Sequence, residues 1–274
     1  MNQHQKKMIA GFTLIELSIV LIIIGLVTGA ILVGHEMIVQ AELRKVVKDI
    51  ERYKTAVSAF RLKYNCFPGD CPNATDFWGL SPNAYTPSPG GIAPSGNTGT
   101  GNGNGDGQIF NYEVYADNNG GVAYEAVFFW QHLSLAGLIE GSYSGIKDTT
   151  FFGLVAGVNA PQTISNGGVS YITSPQAGVT GWNYDSPSLC CSAFGIGTSD
   201  SGGLFGSPLL SASEALSIDT KYDDGMPGTG QIIENSWNGW GNPNCTTGTA
   251  WNTKQYDTSD NSVQCAPKFI FNLE

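Results

Sequence analysis

The sequence predicts an α+β fold, in which a long N-terminal helix packs on a mainly antiparallel β-sheet head that carries a large loop insertion. Three observations support this class. An almost uncharged apolar run opens the chain, an apolar periodicity of three and four residues continues it, and the remainder is rich in glycine. In that remainder, short β-branched and aromatic runs alternate with turn residues, which is typical of antiparallel sheet.

The apolar run extends from Phe12 to Gly34 and contains a single charged residue, Glu16. It is long enough to span a hydrocarbon core of about 30 Å, so it is predicted to form a transmembrane helix over residues 12–34. Lys6 and Lys7 precede it, which predicts a cytoplasmic N-terminus and an exported head. An acidic side chain inside lipid is unfavourable unless it finds a partner or reaches the interface.

Residues 35–64 continue the helix as an amphipathic segment. No proline interrupts the chain before Pro68, so both segments are predicted to form one helix roughly 80 Å long. Its outer half should pack one apolar face on the head. Its inner half has no cover within the chain, which suits lipid or a bundle of copies. The apolar face comprises Leu43, Val46, Val47, Ile50, Tyr53, Val57, Phe60 and Tyr64.

The globular head comprises residues 65–274. A low-complexity segment near 81–107, dominated by Gly, Asn, Pro, Ser and Thr, is expected to be a mobile surface insertion without its own core. A second helix is predicted from about Glu125 to Ile139, with Gly141 as its end. The closing K-F-I-F-N-L-E run is predicted to be the final strand of the sheet.

Composition and motifs argue against two functional classes. The formal net charge of −10 disfavours nucleic acid as a partner, because binding phosphates needs clustered Lys and Arg. The chain has no G-x-S-x-G, H-E-x-x-H or phosphate-binding glycine loop. His132 is the one histidine of the head, and it is expected to lie half-buried or on a helix surface. The protein is therefore predicted not to be an enzyme.

The string K-K-M-I-A-G-F-T-L-I-E-L, which starts at Lys6, resembles the class III leader of type IV pilins and type II secretion pseudopilins. The resemblance implies that residues 1–11 are a leader, cut between Gly11 and Phe12 by a prepilin peptidase that also methylates the new N-terminus. It also implies that Glu16 pairs with the N-terminal amine of a neighbouring subunit during assembly.

The resemblance implies a structural subunit of a type IV pilus or a type II secretion pseudopilus. Its partners would be other pilin subunits, the prepilin peptidase and an inner-membrane assembly platform. Before assembly it would sit in the bacterial inner membrane with the head in the periplasm, and afterwards in a periplasmic pseudopilus or an extracellular pilus. The alternative is a minor tip subunit or adhesin that binds a surface or a glycan, for which six tryptophans could serve.

All six cysteines follow the membrane segment, so disulfides are expected in an exported head. The sequence leaves their pairing open. The rival reading, a zinc site, has no standard ligand spacing here. Many pilins staple a C-terminal loop with a disulfide, which implies a link between the last two cysteines. The candidates are Cys66, Cys71, Cys190, Cys191, Cys245 and Cys265.

Two oxygen-rich loops predict a calcium site. The first has the 1-3-5-6-12 spacing of an EF-hand loop, with a glycine at the sharp turn and an acid at the end, although its first position is Asn where the motif has Asp. Its residues are Asn102, Asn104, Asp106, Gly107 and Glu113.

The second loop clusters Asp219, Asp223 and Asp224 next to Gly225. Major pseudopilins hold calcium in a loop of the C-terminal half, so the resemblance favours this loop over the first. A plain solvated turn is the alternative, and Lys221 within the loop weakens the calcium interpretation.

Overall fold

The computed structural model describes residues 12–79, 100–103, 105–107, 109, 125–145, 153–172, 192–199, 205–234, 244–248 and 251–271. By contacts the chain divides into two units, Met1–Arg44 and Lys45–Glu274. The helices are α1 (Leu14–Tyr64), α2 (Ala74–Trp78), α3 (Glu125–Leu135) and α4 (Ala212–Tyr222), and the strands are β1 (Gly168–Ile172), β2 (Ser192–Ser199), β3 (Phe205–Ser207), β4 (Leu210–Ser211), β5 (Ile232–Glu234), β6 (Thr246–Thr247), β7 (Gln255–Tyr256), β8 (Val263–Cys265) and β9 (Pro267–Phe271). Single 3₁₀ turns lie at Ile164–Asn166 and Trp251–Thr253.

Helix α1 confirms the predicted long N-terminal helix. Every large apolar side chain between Phe12 and Ile38 is more than half exposed. In the part of the chain that the structure describes, α1 is the one helix long and apolar enough to cross a membrane, with a mean hydropathy of 2.7 in its most apolar window. The inner half of α1 therefore has an apolar surface that none of the described residues covers.

The segment of α1 after Lys45 packs into the head as its periodicity predicted. Val46, Val57 and Phe60 are buried. The Tyr53 ring meets the Trp130 ring of α3 edge-on at 5.0 Å between centroids. This aromatic contact joins α1 to α3, and α3 in turn packs on strand β1.

The main sheet is antiparallel, with strand order β1-β2-β9-β5 and with β3 also pairing with β2. Its presence confirms the α+β class. The final strand, predicted from K-F-I-F-N-L-E, lies inside the sheet between β2 and β5. Strand β3 approaches β2 closely at Gly197, where a Cβ would lie 2.6 Å from the Ser207 carbonyl oxygen. Glycine is needed there because any side chain would push the two strands apart.

Helix α3 ends earlier than predicted, so the expected end at Gly141 is wrong. Gly137 adopts a left-handed φ of 70°. The Leu138 N–H then donates to the Leu133 carbonyl at 3.0 Å, and the Gly137 N–H donates to the Ser134 carbonyl at 2.9 Å. This pair of bonds is a Schellman motif, which closes a helix at the first glycine that can take the left-handed conformation.

Helix α4 lies in a region for which only strands and turns were predicted. Its N-cap is Ser211, whose side chain accepts from the Glu214 N–H while the Glu214 carboxylate accepts from the Ser211 N–H. This capping box satisfies two backbone donors that would otherwise be left unpaired. Ala215 and Ile218 are buried on one side of the helix.

The glycine-rich insertion was expected to be a surface segment through residue 107, but its end is anchored in the head. Thr100 is 1% exposed, and its hydroxyl donates to the Gln131 side-chain oxygen at 2.7 Å. The Gly103 N–H donates to the Cys71 carbonyl at 2.9 Å. The expectation is therefore corrected for Thr100 and Gly101, which are buried, whereas residues 105–107 are exposed and residues 81–99 and 104 lie outside the described residues.

Candidate assembly helix and metal sites

The first turn of α1 contains a capping box. The Thr13 hydroxyl and the Thr13 N–H both donate to Oε2 of Glu16, at 2.7 and 2.8 Å. The Glu16 N–H donates back to the Thr13 hydroxyl at 3.3 Å. Glu16 is thus held at the start of the helix. A carboxylate is favoured there because the positive end of the helix dipole lies at the N-terminus.

The surface around Glu16 is apolar and open. The first described residue, Phe12, is 85% exposed, and Gly11 lies outside the described residues. At Gly25 and Gly29 an added Cβ would meet nothing within 4 Å, so these glycines leave a shallow strip along the helix. Such a strip allows another apolar helix to approach closely.

Cys66 and Cys71 are joined by a disulfide, with 5.2 Å between their Cα atoms. The turn that they enclose is fixed to α3, because the Gly69 N–H donates to Nδ1 of His132 at 2.9 Å. Cys190 and Cys191 lie outside the described residues.

His132 is fully buried, which corrects the expectation of a half-buried or surface residue. Its Nε2 lies 3.0 Å from the Thr100 hydroxyl and 3.2 Å from the Gly101 carbonyl oxygen, and its Nδ1 accepts from the Gly69 N–H. Burial lowers the pKa of His132 to about 4. The two ring nitrogens therefore connect the loop at Gly69 to the loop at Thr100 and Gly101, which is a structural role.

The EF-hand-like loop is described only in part, since Asn104 and Glu113 lie outside the described residues. The Asn102 side-chain oxygen accepts from the Thr75 N–H at 2.9 Å, so it anchors α2. Gly107 has a left-handed φ of 82° at the predicted sharp turn. The exposed Asp106 lies close to a different pair of acids.

Sequence reasoning missed that pair, Asp70 and Glu125, whose carboxylate oxygens lie within 4.8 Å of one another and of Asp106. Asp70 is buried and accepts from the backbone N–H groups of Gly105, Asp106 and Gly107, at 2.6, 3.2 and 2.8 Å. Burial raises its pKa, although these three bonds oppose the rise. The three acids come from distant parts of the sequence, and no local pattern connects them.

The structure does bring Asp219, Asp223 and Asp224 together, with carboxylate oxygens within 4.8 Å of one another. Asp219 is buried, and burial raises its pKa to about 6. One of its oxygens accepts from the Gly225 N–H at 2.8 Å, and the other accepts from the Tyr256 hydroxyl at 2.7 Å. The cluster lies at the C-terminal end of α4, where the negative end of the helix dipole favours cations.

The loop that contains Tyr256 is closed by a disulfide between Cys245 and Cys265, with 5.1 Å between their Cα atoms. The pairing leaves neither sulfur as a thiolate for zinc. Glu234 is buried beside this disulfide, and no local sequence pattern predicts that position.

A family model described as the prokaryotic N-terminal methylation motif matches residues 6–32. Neither a curated protein nor a solved structure matched the chain significantly. The matched segment contains Gly11, Phe12 and Glu16, together with α1 as far as Leu32. The chain therefore carries at its N-terminus the class III signal peptide of type IV pilins and pseudopilins.

Proposed function

We propose that this protein is a structural subunit of a type IV pilus or a type II secretion pseudopilus, processed by a prepilin peptidase and polymerised through α1. The observation that carries the proposal is the apolar surface of α1 between Phe12 and Ile38, every large side chain of which is more than half exposed. A surface of this kind needs lipid or copies of itself around it, because exposure to water is unfavourable by about 25 cal/mol per Å².

The acid at the start of this surface supports polymerisation over simple anchoring. A membrane anchor has no use for a carboxylate, which is costly inside lipid. Cleavage between Gly11 and Phe12 would create an amine at the same end of the helix. A copy shifted along the helix axis would bring its amine to Glu16 of the first copy, and the two charges would neutralise each other.

Partners and location follow from the same proposal. The subunit would reside in the inner membrane with its head in the periplasm, where the Cys66–Cys71 and Cys245–Cys265 disulfides can form. The prepilin peptidase and an assembly platform would act on it there, and other pilin subunits would surround it in the filament.

The alternative role is a tip subunit or adhesin. A glycan-binding surface would need exposed aromatic rings. Two tryptophans of the head have described side-chain contacts, and both pack against other rings. Trp130 is fully buried, and the Trp78 ring lies 5.2 Å from the Tyr64 ring between centroids. Among the described side chains, these two rings are therefore engaged in packing within the head.

Replacing Glu16 tests the proposal. Glu16→Ala should leave the leader cleaved and the head folded, yet it should abolish recovery of the protein in sheared or secreted filaments. Glu42→Ala is the matched control, since Glu42 is an exposed acid on the same helix outside the apolar run. Normal filament yield from Glu16→Ala would contradict the proposal, and loss of filaments from both variants would show a general effect of charge.

We further propose that the head binds Ca²⁺ through Asp219, Asp223 and Asp224. Three converging carboxylates repel one another unless a proton or a cation intervenes. Oxygen ligands in a flexible loop are the donor set that calcium takes. Calcium would add its binding energy to the stability of the loop that joins α4 to β5.

Thermal unfolding of the protein in calcium and in chelator tests this site. Wild type should melt higher in calcium, by an amount equivalent to about 2.7 kcal/mol at a hundredfold excess over Kd. Asp223→Asn with Asp224→Asn should lose the response. Asp257→Asn with Asp260→Asn should keep it, because these acids lie in the C-terminal disulfide loop. A wild-type melting temperature indifferent to calcium would refute the site.

A further inference from the structure

The second half of α1 concentrates the positive charge of the chain. Residues 45–63 contain six of its 13 Lys and Arg residues together with two acids. Residues 65–274 contain four basic residues and 18 acids. This stretch of helix and the rest of the head are therefore opposite in charge. Surfaces of opposite charge allow two proteins, or two copies of one protein, to attract and orient each other.

Three of these bases form a row on the exposed side of α1. Lys45, Lys48 and Arg52 follow one another at spacings of three and four residues, so they share one face of the helix. All three are exposed, whereas Val46 and Ile50 on the other side of the helix are buried in the head. This basic row is therefore accessible to a partner.

The acids around the basic row do not balance its charge. Arg52 pairs with Asp49 at 3.4 Å and with Glu140 at 3.2 Å. None of the ion pairs among the described residues includes Lys45 or Lys48. Like charges three and four residues apart on a helix repel one another. An anionic partner outside the chain would remove this repulsion.

Lipid phosphates are one anionic surface, but the basic row begins too far along the helix to lie among them. Lys45 follows Gly34, the last residue of the apolar run, by 11 residues, which is about 16 Å of helix. The headgroup layer extends only about 5 to 7 Å beyond the hydrocarbon core. The spacing favours a protein partner over a membrane.

Two acids of the head match the basic row in charge. Asp257 and Asp260 lie in the loop closed by the C-terminal disulfide, where Asp260 is exposed and Asp257 is half-buried. None of the ion pairs described above includes either acid. By contrast, the exposed Glu140 already pairs with Arg52, and Asp224 belongs to the proposed calcium cluster.

Hydrogen bonds keep both carboxylates charged and fixed in place. The Ser259 hydroxyl and N–H donate to Asp257 and lower the pKa of this acid. The Ser262 N–H and hydroxyl donate to Asp260 and lower its pKa in the same way. Two ionised carboxylates thus lie three residues apart in one loop.

We propose that the basic row of one copy docks on Asp257 and Asp260 of a second copy of this chain. The contact rests on the proposed function, since it requires copies packed side by side in a filament. It would orient the head of each subunit relative to its neighbour. The apolar half of α1 cannot do this alone, because apolar attraction is not directional.

Carbodiimide crosslinking of isolated wild-type filaments tests the contact without any substitution, because the reagent joins a lysine amine directly to a carboxylate. Crosslinked dimers are separated from monomers on a denaturing gel, and the joined peptides are identified by mass spectrometry. Lys45 or Lys48 should be joined to Asp257 or Asp260 in the dimer and not in the monomer. The same crosslink in the monomer, or its absence from the dimer, would overturn the proposal.

Charge reversal provides the second test. Lys45→Glu with Lys48→Glu should lower the yield of sheared or secreted filaments at least tenfold, because like charges would then face each other. Leader cleavage and the amount of protein in membranes should stay as in wild type. Asp257→Lys with Asp260→Lys should lower the yield equally. Combining all four substitutions should restore filaments, because the facing charges are again opposite.

The matched controls are Lys63→Glu and Asp76→Lys, each of which reverses an exposed charge outside the contact and should assemble as wild type does. Normal yield from Lys45→Glu with Lys48→Glu would overturn the contact. So would a loss that the fourfold variant does not recover, which would indicate another anionic partner such as lipid phosphate. Should the variants not accumulate, the wild-type crosslink decides.

Failure of this contact is distinguishable from failure of the proposed function. If wild type forms no filaments, the proposed function and the contact are both overturned. If wild type forms filaments without the crosslink and the charge reversals assemble normally, the contact alone is overturned.

Discussion

Thr13 and Glu16 hold each other at the start of α1, with two hydrogen bonds from Thr13 converging on one oxygen of the Glu16 carboxylate. Glu16, which we propose pairs with the amine of a neighbouring subunit, is therefore also part of the helix cap. In a filament, an incoming amine would have to share or replace the donors of Thr13.

We expect Thr13→Val to fray the first turn of α1, because the hydroxyl that caps the Glu16 N–H is lost. Losing this cap should lower the free energy of opening the first turn by about 1 kcal/mol. This is equivalent to roughly fivefold faster hydrogen exchange at the first helical amides. Thr13→Ser keeps the hydroxyl and should behave as wild type. Exchange measured by NMR in micelles checks this, and equal rates in all three proteins would contradict the capping role.

The buried His132 should make the head sensitive to acid. Its pKa in the folded protein is lowered to about 4 from an ordinary value of 6.5, so the unfolded state takes up the proton first as pH falls. The stability that the neutral ring provides is present above pH 6.5, declines as pH falls below it and is lost by pH 4, a total of about 3 kcal/mol.

Denaturant unfolding of wild type and of His132→Gln, measured from pH 7.5 to pH 4, isolates this effect. The variant should be less stable at neutral pH because it loses part of the contact with Gly69. The difference between the two proteins should shrink as pH falls from 6.5 to 4. A difference that stays constant with pH would show that His132 is not kept neutral by the fold.

Gly69 should tolerate alanine less well than Gly137, although both have left-handed φ values, of 87° and 70°. At Gly69 a Cβ would lie 2.4 Å from the Glu125 carbonyl oxygen, whereas at Gly137 it would meet nothing within 4 Å. Gly137→Ala should lower the free energy of unfolding by about 1 kcal/mol, because alanine disfavours the left-handed conformation. Gly69→Ala should cost clearly more, and equal changes in unfolding free energy would contradict the contact with α3.

The sequence predicted the long helix well, because its apolar run and its three- and four-residue periodicity are local and strong. It missed helix α4, although Ser211 and Glu214 have the spacing of a capping box. The buried face of that helix consists largely of small residues such as Ala212 and Ala215, which give a weak apolar pattern.

The candidate sites also differ in whether their residues are neighbours in the sequence. Asp219, Asp223 and Asp224 were recognised because they are close in the chain. Asp70 and Glu125 are brought together only by folding, as is Glu234 with the disulfide, so no spacing rule could have found them.

The central claim is that the chain is processed as a pilin-like precursor, and the mass of the mature protein tests it most directly. Protein purified from membranes should have the intact mass of residues 12–274 with one added methyl group, and fragmentation should place that methyl on the amine of Phe12. Gly11→Leu should retain the leader, because the cut requires a compact residue before it. A mature N-terminus at Met1, or one created beyond Gly34, would contradict the account.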